Sequence, residues 1–203
     1  MILNRNRRGA DRRSNMRPTE ILSNEHKVIK KMLEITSEVC ERISSNEAVN
    51  PGHLKDIVLF FKGFADACHH GKEEEILFRE LTDSGFPKEG GPVGAMLAEH
   101  VMGRKLIAEM ASAAEDFGDG KEDAGVRFLQ NAQQYIGLLS DHIHKEDNIL
   151  FAMADQKLTS EQQDRILQRF KSFEHDDMGV GTHEEFLKLV ERLEQEYLKQ
   201  KTT

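Results

Sequence analysis

The chain reads as an all-α protein: an antiparallel up-down four-helix bundle with additional C-terminal helices. Three observations predict this class. Apolar residues recur at helical spacing through four long segments, no segment alternates β-branched residues as a strand would, and one histidine-bearing helical motif occurs twice in register.

Pro18-Thr19-Glu20 opens the first helix, where Leu22, His26, Ile29 and Leu33 form a stripe running toward Ile43. Asn50-Pro51-Gly52 punctuates the chain, with proline pre-set for the start of the next helix. That helix runs to about Leu81 and carries Phe61, Ala65, His69 and Glu73 on one face. A loop containing glycine and proline follows from Asp83 to Gly91. The third helix starts near Pro92, aligns Leu97, His100, Arg104 and Ile107, and stops around Phe117-Gly118. The fourth spans about Glu122 to Ala154 and aligns Tyr135, Leu138, His142, Glu146 and Ile149. Thr159-Ser160-Glu161-Gln162-Gln163 holds two overlapping capping-box spacings, which start a fifth helix expected to break at Gly179-Val180-Gly181. Thr182-His183-Glu184-Glu185 repeats the capping signal and opens a last amphipathic helix through Leu187, Leu193 and Tyr197. The expected division is a basic disordered tail over 1–17, the bundle over 18–154, and a helical extension packed on it over 155–203.

The formal net charge of −8 argues against a nucleic-acid-binding domain, which is normally basic, even though six arginines crowd the first 17 residues. Cys40 and Cys68 lack CxxC spacing, so neither a disulfide scaffold nor a thiolate zinc site is expected, and a reducing cytoplasmic setting is. No apolar run approaches the length of a membrane span.

The informative feature is the repeat. His69-His70-Gly71-Lys72-Glu73-Glu74-Glu75-Ile76-Leu77-Phe78 returns as His142-Ile143-His144-Lys145-Glu146-Asp147-Asn148-Ile149-Leu150-Phe151. Each copy places a His-x-x-x-Glu pair one helical turn apart on one face. Glu25-His26 lies upstream of the first copy at nearly the same distance as Glu99-His100 lies upstream of the second. A lone stripe histidine is ordinarily a core residue, and a single pair arises often by chance. Duplication in register carries the reading that His26, His69, Glu73, His100, His142 and Glu146 converge on metal. Six nitrogen and oxygen donors exceed what one zinc ion needs and suit two dications, for which iron, manganese and zinc all remain open. The repeat selects His69/Glu73, while a different register, aligned on the residues that follow, selects His70/Glu74.

The segments "EHKVIKKM", "CHHGKEEEILF", "GGPVGAMLAEHVMGRKL" and "DHIHKEDNILFAMA" resemble the hemerythrin-like, HHE cation-binding proteins over residues 18–154, with "GVGTHEEF" similar to their longer members. The resemblance implies a four-helix bundle with a non-haem, oxo- or hydroxo-bridged di-iron centre, manganese or zinc being less favoured. It implies that His26 and His69 serve one iron and His100 and His142 the other, with Glu73 and Glu146 bridging. Two departures stand out. Arg104 occupies the position where respiratory hemerythrins carry a further histidine, and the second carboxylate is Glu146 at i+4, with Asp147 at the place of their aspartate. One histidine is therefore missing, and His183 is the preferred replacement if the last helix folds back over the site.

The function expected from this site is binding or sensing of O₂, or of a related small diatomic or peroxide ligand. The alternatives are a redox enzyme acting on NO or peroxide or in iron–sulfur cluster repair, and an iron-dependent interaction module whose contact regions are the basic tail and the helices after Thr159.

Overall fold

The computed structural model describes residues 16–176 and 182–199. The expected tail over 1–17, apart from its last two residues, and the expected break at Gly179-Val180-Gly181 lie outside the described residues. Helix α1 (Pro18–Ser44) starts on proline, and the Arg17 N–H donates to the Glu20 carboxylate at 2.8 Å. Helix α2 covers residues 51–83 and begins where the Asn50 side chain accepts from the Gly52 N–H. Helix α3 (Pro92–Gly118) and helix α4 (residues 124–157) complete the bundle. Helix α5 (Ser160–Asp176) opens on a reciprocal cap, with the Thr159 N–H donating to Gln162 at 2.9 Å and the Gln162 N–H to the Thr159 hydroxyl at 3.3 Å. Helix α6 is Thr182–Tyr197. No strand occurs among the described residues, and none of their helices is long and apolar enough to cross a membrane.

Each bundle helix packs on its two neighbours: α1 on α2 and α4, α3 on α2 and α4. The buried apolar residues form two clusters. One holds Ile29, Met32, Phe61, Phe64, Ile107, Phe128, Tyr135 and Leu139, and α6 adds Val190, Leu193 and Tyr197 to it. The other holds Leu22, Leu77, Phe78, Val93, Met96, Leu150 and Phe151, and α5 adds Ile166 and Phe170. The repeat histidines and glutamates fall between the two. A polar layer held between two apolar ones is shielded from water on both sides, which makes every charge in it matter.

Periodicity did not reveal one departure from regular helix. Within α2 the segments Phe61–His70 and Glu73–Leu77 are π-helical, and so is Glu146–Leu150 in α4. The carbonyl of Glu73 accepts from the Phe78 N–H, and that of Glu146 from the Phe151 N–H, five residues on in each case. Such wide turns are rare in soluble helices and concentrate at functional sites. Here they fall on the two copies of the motif.

Candidate metal centre

Five histidines and two glutamates of the polar layer are at most 3% exposed. They form two groups whose ligand atoms lie within 4.8 Å of one another: His26, His69, Glu73 and Glu146, and His70, His100, His142 and Glu73. Glu73 belongs to both. Its Oε1 lies 3.5 Å from His69 Nε2 and its Oε2 3.5 Å from His100 Nε2, so the carboxylate spans the groups. Glu146 Oε2 does the same from the other side, at 3.3 Å from His26 Nε2 and 3.2 Å from His142 Nε2. The Nε2 atoms of His26 and His69 approach to 2.9 Å, and those of His100 and His142 to 3.1 Å.

The outward-facing nitrogens are held by a set of carboxylates that repeats with the motif. Nδ1 of His69 donates to Glu25 at 2.8 Å, and Nδ1 of His142 to Glu99 at 2.9 Å. Nδ1 of His26 donates to Asp147 at 2.8 Å, and Nδ1 of His100 to Glu74 at 2.7 Å. Basic residues brace the carboxylates in the same pattern: Lys72 on Glu25 and Lys145 on Glu99, Lys30 on Asp147 at 3.0 Å and Arg104 on Glu74 at 2.6 Å. Fixing Nδ1–H outward leaves each Nε2 as a lone-pair donor facing inward, the arrangement that orients metal-binding imidazoles and raises their basicity.

Several buried atoms at the centre have no hydrogen-bond partner: both oxygens of Glu73, both of Glu146, and Nε2 of His70. Leaving these unpaired in an apolar interior costs free energy that a bound cation would offset. The charge pattern agrees. Burial and then the Glu146 charge push the Glu73 carboxyl well above the usual range, so it resists ionising. Burial acts the same way on Glu146, but His142 and His26 outweigh it and hold that carboxyl below its usual value. Burial and then the neighbouring His100 drive His70 well below the ordinary imidazole value, and burial takes His69 down to about 4 against the pull of Glu25. Burial also lowers His100, whereas burial is outweighed at His26 by Asp147 and Glu146, and at His142 by Glu146 and Glu99, so that both are raised. Without a metal, protons on His26 and His142 balance the Glu146 charge, which is the role a bound cation would take over. Nitrogen and oxygen donors without thiolate fit iron, manganese or zinc.

Of the seven residues expected from sequence, the structure brings six together: His26, His69, Glu73, His100, His142 and Glu146. It does not bring His183, which belongs to neither group; its ring lies 5.1 Å from that of Phe64, before the motif on α2. The histidine in the second group that sequence left out is His70, whose ring stacks on His100 at 3.9 Å. Because the π-helical turn ends at these residues, the adjacent His69 and His70 serve different groups, so one register did not have to exclude the other. Glu74 and Asp147 sit outside both groups as hydrogen-bond acceptors. Arg104, conspicuous where a histidine was expected, is the counterpart of Lys30 and also donates to Asp66 at 2.8 Å. The signal for the outer carboxylates was present in the sequence as the acid before each lone histidine and the lysine before each motif glutamate.

Comparison with known proteins agrees with this geometry. Uncharacterized proteins of Mycobacterium bovis and of two Mycobacterium tuberculosis strains are each 22% identical over 160 residues, 79% of this chain. The chain spans only 62% of the length of these relatives. No solved structure gives a significant match. The family model for the hemerythrin HHE cation binding domain matches residues 17–154, all of the bundle but the last turn of α4. Two groups of inward imidazoles sharing a glutamate, on the four helices that this match covers, place the chain in the hemerythrin HHE cation-binding family.

Proposed function

We propose that the chain is a non-haem di-iron protein that binds or senses O₂ or a related small oxidant. The observation that carries this reading is the set of partnerless buried donors: two bridging carboxylates and His70 Nε2, enclosed by imidazoles already aimed inward. His26 and His69 would hold one iron and His70, His100 and His142 the other, with Glu73 and Glu146 between them. The His26/His69 group offers one imidazole fewer than the other, so a small ligand would be accommodated on that side. When bound, ferrous iron supplies the electrons that O₂ chemistry needs.

The protein's own residues do the rest. Glu25, Asp147, Glu74 and Glu99 hold the imidazoles in one tautomer. Apolar neighbours exclude water: the Phe151 ring stacks on His26 at 5.5 Å and the Phe78 ring on His100 at 5.9 Å. A dry site withholds protons from a small ligand held there, which would favour its leaving in the form in which it entered.

The test is to load the full chain with iron, reduce it anaerobically, add O₂ and follow the visible spectrum together with iron content. A new absorption that reverses on deoxygenation supports binding or sensing. Rapid passage to a stable oxidised form with turnover of NO or peroxide supports the enzyme alternative. Protein that takes up no iron sinks both.

A further inference from the structure

The two halves of the site are near copies, yet among the described residues one half is covered by a further helix and the other is not. Helix α5 lies along the motif segment of α2. Phe173 sits against Gly71, where an added Cβ would come within 2.6 Å of its ring. Arg169 donates to the backbone carbonyl of Glu75 at 2.8 Å, and Arg165 to the Glu80 carboxylate at 2.9 Å. Glu174 reaches Lys72 at 2.8 Å, and the Lys72 ammonium lies 5.7 Å from the centre of the Phe170 ring. At the equivalent positions of α4 no helix of the described residues gives such cover. Lys72 is fully buried while Lys145 is 38% exposed, and Ile76 is 2% exposed while Ile149 is 51% exposed.

This difference leads directly to a ligand-bearing histidine. Lys72 binds Glu25, and Glu25 accepts from His69 Nδ1. If Lys72 faced Glu25 alone, its full charge would draw on that carboxylate and weaken it as an acceptor for His69. Glu174 takes part of the load. We propose that Glu174 and Lys72 are positioning residues for the His26/His69 group, so that α5 seated on α2 and a metal held by His69 stabilise one another. Coupling of this kind is reciprocal: what strengthens metal binding through α5 must also tighten α5 when metal binds. The two metals then differ in their link to α5, and the one on His69 is the more strongly coupled to it. The proposal rests on the reading that the two groups hold metal.

The experiment compares the full chain with Glu174→Gln and Lys145→Gln, metal-free and loaded with Zn(II) as a redox-silent probe. Its readouts are metal affinity by calorimetry and hydrogen exchange across residues 160–176. Loading is expected to slow exchange in α5 about tenfold in the parent chain. In Glu174→Gln that slowing is largely lost and one of the two metals binds about tenfold more weakly, the lower end of what outer partners of ligands contribute. Lys145→Gln keeps the slowing. If two metals bind but α5 exchanges identically with and without them, or if Glu174→Gln binds both as the parent does, the coupling is wrong and the metal reading stands. If the parent chain takes up no metal, both fall.

Discussion

Glu25 immediately precedes His26, yet its carboxylate accepts from Nδ1 of His69 on the facing helix, at 2.8 Å. Glu99 and His142 repeat this crossing in the second half at 2.9 Å. Each Glu-His doublet thus contributes an imidazole to one group and braces the imidazole of its partner helix. The doublets and motif pairs therefore act as one interlocked set, and this makes the consequences of single substitutions specific.

His70→Ala is expected to lower the metal content from two ions toward one, because only the second group contains this residue. Glu73→Ala should reduce both, because it belongs to both groups. His183→Ala should leave the stoichiometry unchanged. Elemental analysis of the three purified variants checks this, and a loss of metal in His183→Ala would refute the assignment of His70 over it.

Metal removal should lower thermal stability. Saturation at about a hundredfold above Kd contributes roughly 2.7 kcal/mol per site. For a chain of this size that corresponds to a fall in Tm of about 5–10 °C for each site emptied. Scanning calorimetry before and after chelation measures it; an unchanged Tm would mean that the donors are not bridged by metal in the folded state.

The metal-free protein should lose stability in acid partly through Glu25. Burial pushes its carboxyl up, but Lys72 and His69 outweigh this and bring it down to about 2 from an ordinary 4.5. A depressed folded value means that the contribution is fully present above about pH 4.5 and disappears as pH falls toward 2. Its size is about 3 kcal/mol. Glu25→Gln should therefore be less stable than the parent at neutral pH, with the gap closing in that acid window. Denaturant unfolding at several pH values tests it, and a gap independent of pH would show that the carboxylate charge is not responsible.

Gly63→Ala should weaken the seat of α6, because an added Cβ would collide with the ring of Phe186. Overpacking of this kind costs about 1–3 kcal/mol, more than the helix preference for alanine returns. The companion change Phe186→Ala removes the obstacle, so the two substitutions together should cost less than their sum. Urea unfolding of the double-mutant cycle decides it; strict additivity would mean that the two residues do not meet.

The sequence by itself determined the helical class, the helix ends marked by Pro18, Pro51 and Pro92, and six residues of the polar layer, because each is written in local chemistry or in the spacing of a repeat. It could not determine that His70 would join the second group. Adjacent residues on a regular α-helix point about 100° apart, so His69 and His70 read as alternatives. The π-helical turn ending at His70 widens the backbone there, and the helices of the opposite hairpin bring His100 and His142 to the second ring. His183 carried a plausible capping context, but the packing of α6 sets it against Phe64 instead. The covering of one half of the site by α5 was equally out of reach, since it depends on Phe173 meeting Gly71 and Glu174 meeting Lys72, residues about a hundred positions apart. Spacing along one chain predicts which donors share a helix face. Which faces meet, and how the backbone turns where they do, is decided by packing between helices.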